Sequence, residues 1–180
     1  RETLGAAGAL GPHLDEGDEA TGRAPSYAIG DYRLVGVRYR DGPFMDLDLR
    51  LAAMDDAGID LQVLSPNPLT FLHHVEASAA AAFARANNDG LASLVARRPD
   101  RLRAVAQLPM QRPDLAVAEL ERAVRSLGLV GAYIGTDLGR PLDDPAHDVV
   151  YEACVALDVP LFIHPAPGGI DAPRRDDRLA

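Results

Sequence analysis

From residue 46 onward, short apolar runs rich in β-formers alternate with longer helical patterns, and each run stops on Pro, Gly or Ser. The run 61–64 ends in Ser65-Pro66-Asn67-Pro68, and 102–108 ends at Pro109. The run 129–134 ends in Gly135-Thr136, and 159–163 delivers His164 and then Pro165. Helical stretches fill the intervals. Residues 46–57 place Leu47, Leu51 and Met54 on one face, with Gly58 as the C-terminal stop. Residues 75–98 form a long Ala-rich pattern halted by Pro99. Pro113 opens a helix at its favoured first-turn position. That helix runs to Leu127, carries Leu115, Ala118, Leu120 and Val124 on its apolar sector, and stops at Gly128. The last pattern spans 145–157. Alternation of this kind builds βα units around a parallel sheet.

Two architectures satisfy that pattern. A closed eight-stranded barrel takes about 250 residues. An open, flavodoxin-like sheet of about five strands fits a 180-residue chain better, and periodicity alone ranks it slightly ahead. No glycine-rich phosphate loop follows any of the strands, which argues against nucleotide binding.

Residues before this region read differently. Residues 1–26 are rich in Gly, Ala, Asp and Glu without a sustained period, so an irregular lead-in is expected. Residues 27–40 alternate better and suggest a short hairpin around Gly30-Asp31, closed by Asp41-Gly42-Pro43. The chain thus divides into a lead-in with hairpin insertion, 1–45, and a βα domain, 46–180.

Composition removes several functions. A net charge of -9 argues against nucleic acid or an anionic membrane as the main partner. The single cysteine, Cys154, excludes an internal disulfide framework and fits a reducing cytoplasm; it falls within a helical pattern, as a core residue would. The Ala-rich run 77–82 is too short and too weakly apolar to span a bilayer. The chain begins at Arg1 rather than Met, so a natural N-terminus is expected to be missing.

His164 is the sharpest chemical feature. A histidine at the carboxyl end of a buried strand, turned at once by a proline, lies on the functional face of a parallel α/β barrel. The motifs around it go further. Asp55-Asp56-Ala57-Gly58-Ile59-Asp60-Leu61-Gln62-Val63-Leu64-Ser65, Asn87-Asn88-Asp89-Gly90-Leu91-Ala92, Gln107-Leu108-Pro109-Met110-Gln111, Gly131-Ala132-Tyr133-Ile134-Gly135-Thr136 and Phe162-Ile163-His164-Pro165 occur in that order. Together they resemble the amidohydrolase-related family (amidohydrolase 2), in its aminocarboxymuconate-semialdehyde decarboxylase branch, over residues 46–165.

The resemblance implies a metal-dependent (β/α)₈ TIM barrel, with the strands found here as the second to the fifth. His164 then corresponds to the family's fifth-strand metal ligand. The family's other ligands are a His-x-His pair on the first strand and an Asp on the eighth, and its catalytic histidine is on the sixth. No His-x-His occurs here, and the chain stops at Ala180 before a sixth strand. An incomplete portion of such a barrel is therefore expected, with no assignable catalytic residue. Histidine and carboxylate ligands admit zinc, expected first, or manganese. A zinc site needs about three protein ligands, so the chain alone is expected to hold no catalytic metal and to show little activity.

The implied reaction is non-oxidative decarboxylation of an unsaturated or aromatic carboxylic acid. Hydrolysis by the same barrel, or a non-catalytic half-barrel acting by association, stands as the alternative. The family anchors its substrate carboxylate with an Arg from the hairpin insertion. Arg33, Arg38 and Arg40 lie there, and Arg38 is the candidate. Ser65 and Asn67 end a strand, where they line a pocket or serve the turn. Of the His73-His74 pair, loop packing is the favoured role, with substrate contact at His74 as the alternative. His13 and His147 read as solvated. The family carries an aromatic after its His-Pro pair, whereas Ala166 follows here, so the substrate shelf differs. A homodimer is expected, because half a barrel leaves sheet edges and an apolar face uncovered.

Overall fold

The computed structural model describes residues 13–29, 32–36, 41–73 and 75–165. Three antiparallel strands come first: β1 (His13–Asp15), β2 (Ser26–Ile29) and β3 (Tyr32–Val35), in the order β1-β2-β3. The register sets Tyr27 opposite both Leu14 and Leu34, so three apolar side chains share one face. Tyr27 packs there with Leu69, Leu72, Val75, Ala80 and Phe83. The expected hairpin is present, although Gly30 and Asp31 at its tip lie outside the described residues. The lead-in is not wholly irregular, because β1 adds a third strand to it. Local pattern missed β1, since three residues are too few to show a period.

The remaining elements follow the expected alternation. They are α1 (Leu47–Asp56), β4 (Gln62–Leu64), a 3₁₀ turn at Pro68–Thr70, α2 (Ala77–Arg97), β5 (Leu102–Ala104), β6 (Ala106–Gln107) and α3 (Pro113–Arg125). Then come β7 (Ala132–Gly135), a second 3₁₀ turn at Pro145–His147, α4 (Asp148–Ala156) and β8 (Leu161–His164). Helix α1 starts at Asp46, whose Oδ1 accepts the backbone N–H groups of Asp48 and Leu49.

Strand order decides between the two architectures. β4 pairs with β5, β6 with β7 and β7 with β8, all parallel. β5 and β6 are one stave. The Val105 N–H between them donates to the Leu64 carbonyl at 3.0 Å, and the next N–H, of Ala106, donates to Gly131 at 2.8 Å. Each stave therefore lies beside its predecessor in sequence, without reversal. A doubly wound open sheet must reverse its order at a switch point. The open sheet favoured by periodicity gives way, because periodicity reports which face a strand buries and not which neighbour it pairs with.

Alternation along the staves separates two faces. Leu64, Leu102, Ala104, Ala106, Ala132 and Ile134 point to the helices and join Leu47, Leu51, Met54, Leu120 and Val150 in the main core. Cys154 is buried in the same core, as its helical position suggests. Val63, Val105, Tyr133, Phe162 and His164 occupy the opposite, inner parity. His147 corrects the sequence reading: it is buried rather than solvated. Its 3₁₀ turn swings the ring inward, edge-on to Tyr151 at 6.4 Å between centroids. Among the described residues, no helix is long and apolar enough to cross a membrane.

Helices α1, α3 and α4 are each followed by a residue in the left-handed region, namely Gly58, Gly128 and Asp158. Only Asp158, at φ 54°, carries a Cβ there, and it is exposed. Replacing it with Gly removes steric strain and no contact. Asp158→Gly is expected to stabilise the chain by about 0.5 kcal/mol, read as a higher urea midpoint with an unchanged slope.

Candidate active-site wall at the carboxyl ends of the staves

The loop after β4 builds one side of the site. Its tightest point is Leu72, fully buried and at φ 56°, where a side chain costs on the order of 1 kcal/mol. Two glutamines hold it. Gln107 Nε2 donates to the Thr70 carbonyl at 2.7 Å, and Gln111 Nε2 donates to the Leu72 and Val75 carbonyls at 2.6 and 3.0 Å. Gln107 is itself fixed from α2. Asn87 Nδ2 donates to its Oε1 at 2.9 Å, while Asn88 accepts its backbone N–H at 2.9 Å and donates to its carbonyl at 3.0 Å. Asn88 Nδ2 also donates to Glu119 Oε1 at 2.8 Å, and Glu119 is bound by Arg122. This buried chain of polar groups ties α3, α2 and β6 to the loop.

So held, the loop lays Phe71 and His73 against the inner face of the sheet. The two rings stack with centroids 5.3 Å apart and 9° between planes. Phe71 meets Tyr133 at 5.1 Å, and Tyr133 meets His164 edge-on at 5.8 Å. The Gly135 N–H donates to His73 Nε2 at 3.4 Å, which assigns the ring proton to Nδ1. Burial pushes the Tyr133 phenol up from its ordinary range, and the Ser65 hydroxyl beside it, as a hydrogen-bond partner, acts in the opposite sense. Both groups stay protonated and neutral near pH 7.

His164 stands exposed at the end of β8. Its Nδ1 lies 2.7 Å from the Pro165 carbonyl oxygen, a geometry in which the Nδ1–H donates and Nε2 keeps its lone pair. Metal-ligating histidines commonly carry this arrangement, one ring N–H donated to a carbonyl and the other nitrogen turned to the ion. A single donor does not make a site. Among the described residues, no three His, Cys, Asp or Glu side chains come together to hold a metal ion. The described residues therefore fit one ligand position and not a complete metal centre.

Of the residues singled out from sequence, the structure brings His164 and Ser65 to the same wall, with Tyr133 between them. Asn67 serves the turn: its Oδ1 accepts the Leu69 N–H at 3.0 Å and caps the first 3₁₀ turn. His73 packs in the loop, as favoured for its pair. His74 and Arg38 lie outside the described residues, and His13 is exposed. Sequence reasoning missed Phe71 and Tyr133 as parts of the wall. Local pattern carried no signal for Tyr133, because all four residues of β7 are buried and nothing in their alternation marks the inner face.

A family model described as Amidohydrolase matches residues 26–179. The chain belongs to this family. It is 35% identical over 126 residues to the 2-amino-3-carboxymuconate-6-semialdehyde decarboxylase of Dictyostelium discoideum, an alignment covering 69% of this chain and 35% of that protein. It is 41% identical over 125 residues to the gamma-resorcylate decarboxylase of Rhizobium radiobacter, covering 66% of this chain and 38% of that protein. Among solved structures it is similar to a dihydroxybenzoic acid decarboxylase from Polaromonas sp. JS666, crystallised with manganese and the inhibitor 2-nitroresorcinol. There the TM-score is 0.63 and the identity 39%, over 70% of this chain and 40% of that one. This amidohydrolase-family chain thus spans well under half the length of the relatives it matches. The metal in that neighbour is manganese, whereas the ligand chemistry had placed zinc first.

Proposed function

We propose that this chain supplies the second to fifth staves of a (β/α)₈ barrel whose activity is non-oxidative decarboxylation of an aromatic or unsaturated carboxylic acid. The carrying observation is His164, placed at the carboxyl end of β8 with Nδ1 anchored and Nε2 open, beside an aromatic wall. The similarity to decarboxylases of hydroxybenzoate and carboxymuconate type supports the reaction class. In this reading His164 is one ligand of a divalent cation, with manganese favoured over zinc by the solved neighbour. In the same reading Arg38 anchors the substrate carboxylate, Ser65 and Asn67 line the pocket, and His74 is a substrate contact. Residues 1–45 form the lead-in and hairpin insertion, and 46–180 the partial barrel.

The wall suits such a reaction. Phe71, Val105 and Tyr133 form an apolar cluster that excludes water from one side of a planar acid. A carboxylate loses hydration there more than does the charge-dispersed state from which carbon dioxide leaves, and a proton then takes the vacated carbon.

The test is carbon dioxide release from a panel of hydroxybenzoates and carboxymuconates, with manganese added, by a polypeptide holding these residues in a closed barrel. Release is expected, together with a loss of at least about 100-fold in His164→Ala, since removing a ligand costs no less than removing the group that orients it, which costs roughly 10- to 100-fold. Ester or lactone hydrolysis without carbon dioxide would overturn the reading. The 180-residue chain alone should retain well below one equivalent of manganese or zinc after gel filtration, because among its described residues no three donor side chains come together. A single tightly held, stoichiometric ion measured by elemental analysis contradicts that expectation.

A further inference from the structure

His73 has no part in the chemistry assigned so far. It is buried, and its Nε2 accepts the Gly135 N–H at 3.4 Å. That bond stands where the ladder of β7 runs out of backbone partners. Even-numbered positions of this stave bond toward β8, as the Ala132 N–H does to the Pro160 carbonyl at 2.9 Å. Odd-numbered positions bond toward β6, as the Gly131 carbonyl does in accepting the Ala106 N–H at 2.8 Å. But β6 ends at Gln107, and the next carbonyl on that side, of Leu108, takes the Met110 N–H at 3.0 Å. The Gly135 N–H is buried and of odd parity, and the imidazole supplies its acceptor.

Placing the ring there strains the backbone. Leu72, the residue before it, is fully buried at φ 56°, and Gln111 Nε2 holds its carbonyl. Strain of this kind persists only where the surroundings impose it, and it gathers at functional positions. Phe71 stacks on the His73 ring with 9° between planes, so the ring is oriented as well as placed.

What the ring steadies is the stave end beside His164. Gly135 is the register partner of His164. The peptide plane joining Ile134 to Gly135 sends its N–H to His73, and its carbonyl, on the opposite edge, faces β8 at His164. A second route runs through rings, from His73 by way of Phe71 and Tyr133 to the edge of His164. We propose that His73 is a positioning residue for His164, acting through the Gly135 peptide as the lone-pair acceptor that fixes the end of β7. The assignment rests on the decarboxylase reading for what His164 does, and on the geometry alone for how it is held.

The test follows the 180-residue chain by NMR. In the wild type at neutral pH, His73 carries its ring proton on Nδ1 and leaves Nε2 bare; a proton found on Nε2 overturns the assignment. His73→Phe keeps a flat ring against Phe71 and removes the acceptor. Amide exchange at Gly135 should then rise about fivefold to tenfold, the value of one hydrogen bond, while Ala132 serves as the unaffected control. The His164 ring signals should move, and the contact between the Tyr133 and His164 rings should weaken. His73→Gln, whose Oε1 reaches the place of Nε2, should restore both the Gly135 protection and the His164 signals. No rise at Gly135, an equal rise at Ala132, His164 signals that stay put in His73→Phe, or no recovery in His73→Gln would each overturn the assignment. In the closed barrel, His73→Phe should lower carbon dioxide release about fivefold to tenfold. Release that His73→Phe leaves unchanged removes the assignment alone. No release from any acid of the panel, with the Gly135 and His164 effects present, removes the decarboxylase reading and keeps the assignment.

Discussion

Asn88→Leu is expected to destabilise the chain by about 3–5 kcal/mol, although the two side chains share the same branching and number of non-hydrogen atoms. Asn88 is fully buried and makes three hydrogen bonds, two to the backbone of Gln107 and one to Glu119. Leucine fills the space and satisfies none of them. Each buried group left without a partner costs roughly 1–3 kcal/mol, and here a backbone N–H, a carbonyl and a carboxylate oxygen are affected. Arg122 still binds Glu119, which keeps the total toward the lower end. The loss is a large fraction of the roughly 5–15 kcal/mol that holds a domain together. The effect should also travel. Gln107 fixes the Thr70 carbonyl, so amide exchange in residues 70–73 should accelerate more than in α4, which shares no partner with Asn88. Urea denaturation reads the first effect and hydrogen exchange the second. A change below 1 kcal/mol would mean that the polar chain does not hold the loop.

How much of this was legible in the sequence depends on the range of the interaction. Punctuation by Pro, Gly and Ser located every stave to within a few residues, because a strand end needs local turn chemistry. Helix starts at Asp46 and Pro113 were legible for the same reason. His164 was found because a strand-end histidine is a local feature. The Asn88 network was not, since its bonds span 19 and 31 residues of sequence. Asn87 and Asn88 stood out as part of a family motif, without a role. Tyr133 was hidden for a different reason. All four residues of β7 are buried, so no alternation marks which of them faces inward. The burial of His147 depended on a 3₁₀ turn ahead of α4, and an acidic first turn of a helix with the same composition reads as solvated.

The chain by itself is expected to self-associate, with a mass of twice 19.2 kDa or more by light scattering at tens of micromolar. All four staves are parallel, and parallel sheets are stable when covered on both faces. Among the described residues β4 and β8 are the outer staves, and apolar side chains along them are exposed: Leu61 and Val63 beside one edge, Phe162 and Ile163 on the other. An edge of this kind templates pairing with another chain. A second copy suits it geometrically. A two-fold axis along the staves sets β8 of each copy beside β4 of the other in the parallel sense. The eight staves that result match the number at which a barrel interior fills with side chains. Charge on the inner parity opposes this closure. Val63→Lys combined with Phe162→Lys should therefore shift the chain to the monomer, and because both positions are exposed it should do so with little loss of helical signal. A wild-type chain that runs as a compact monomer at the same concentration, or a double variant that associates as strongly as the wild type, shows that these edges are closed in some other way.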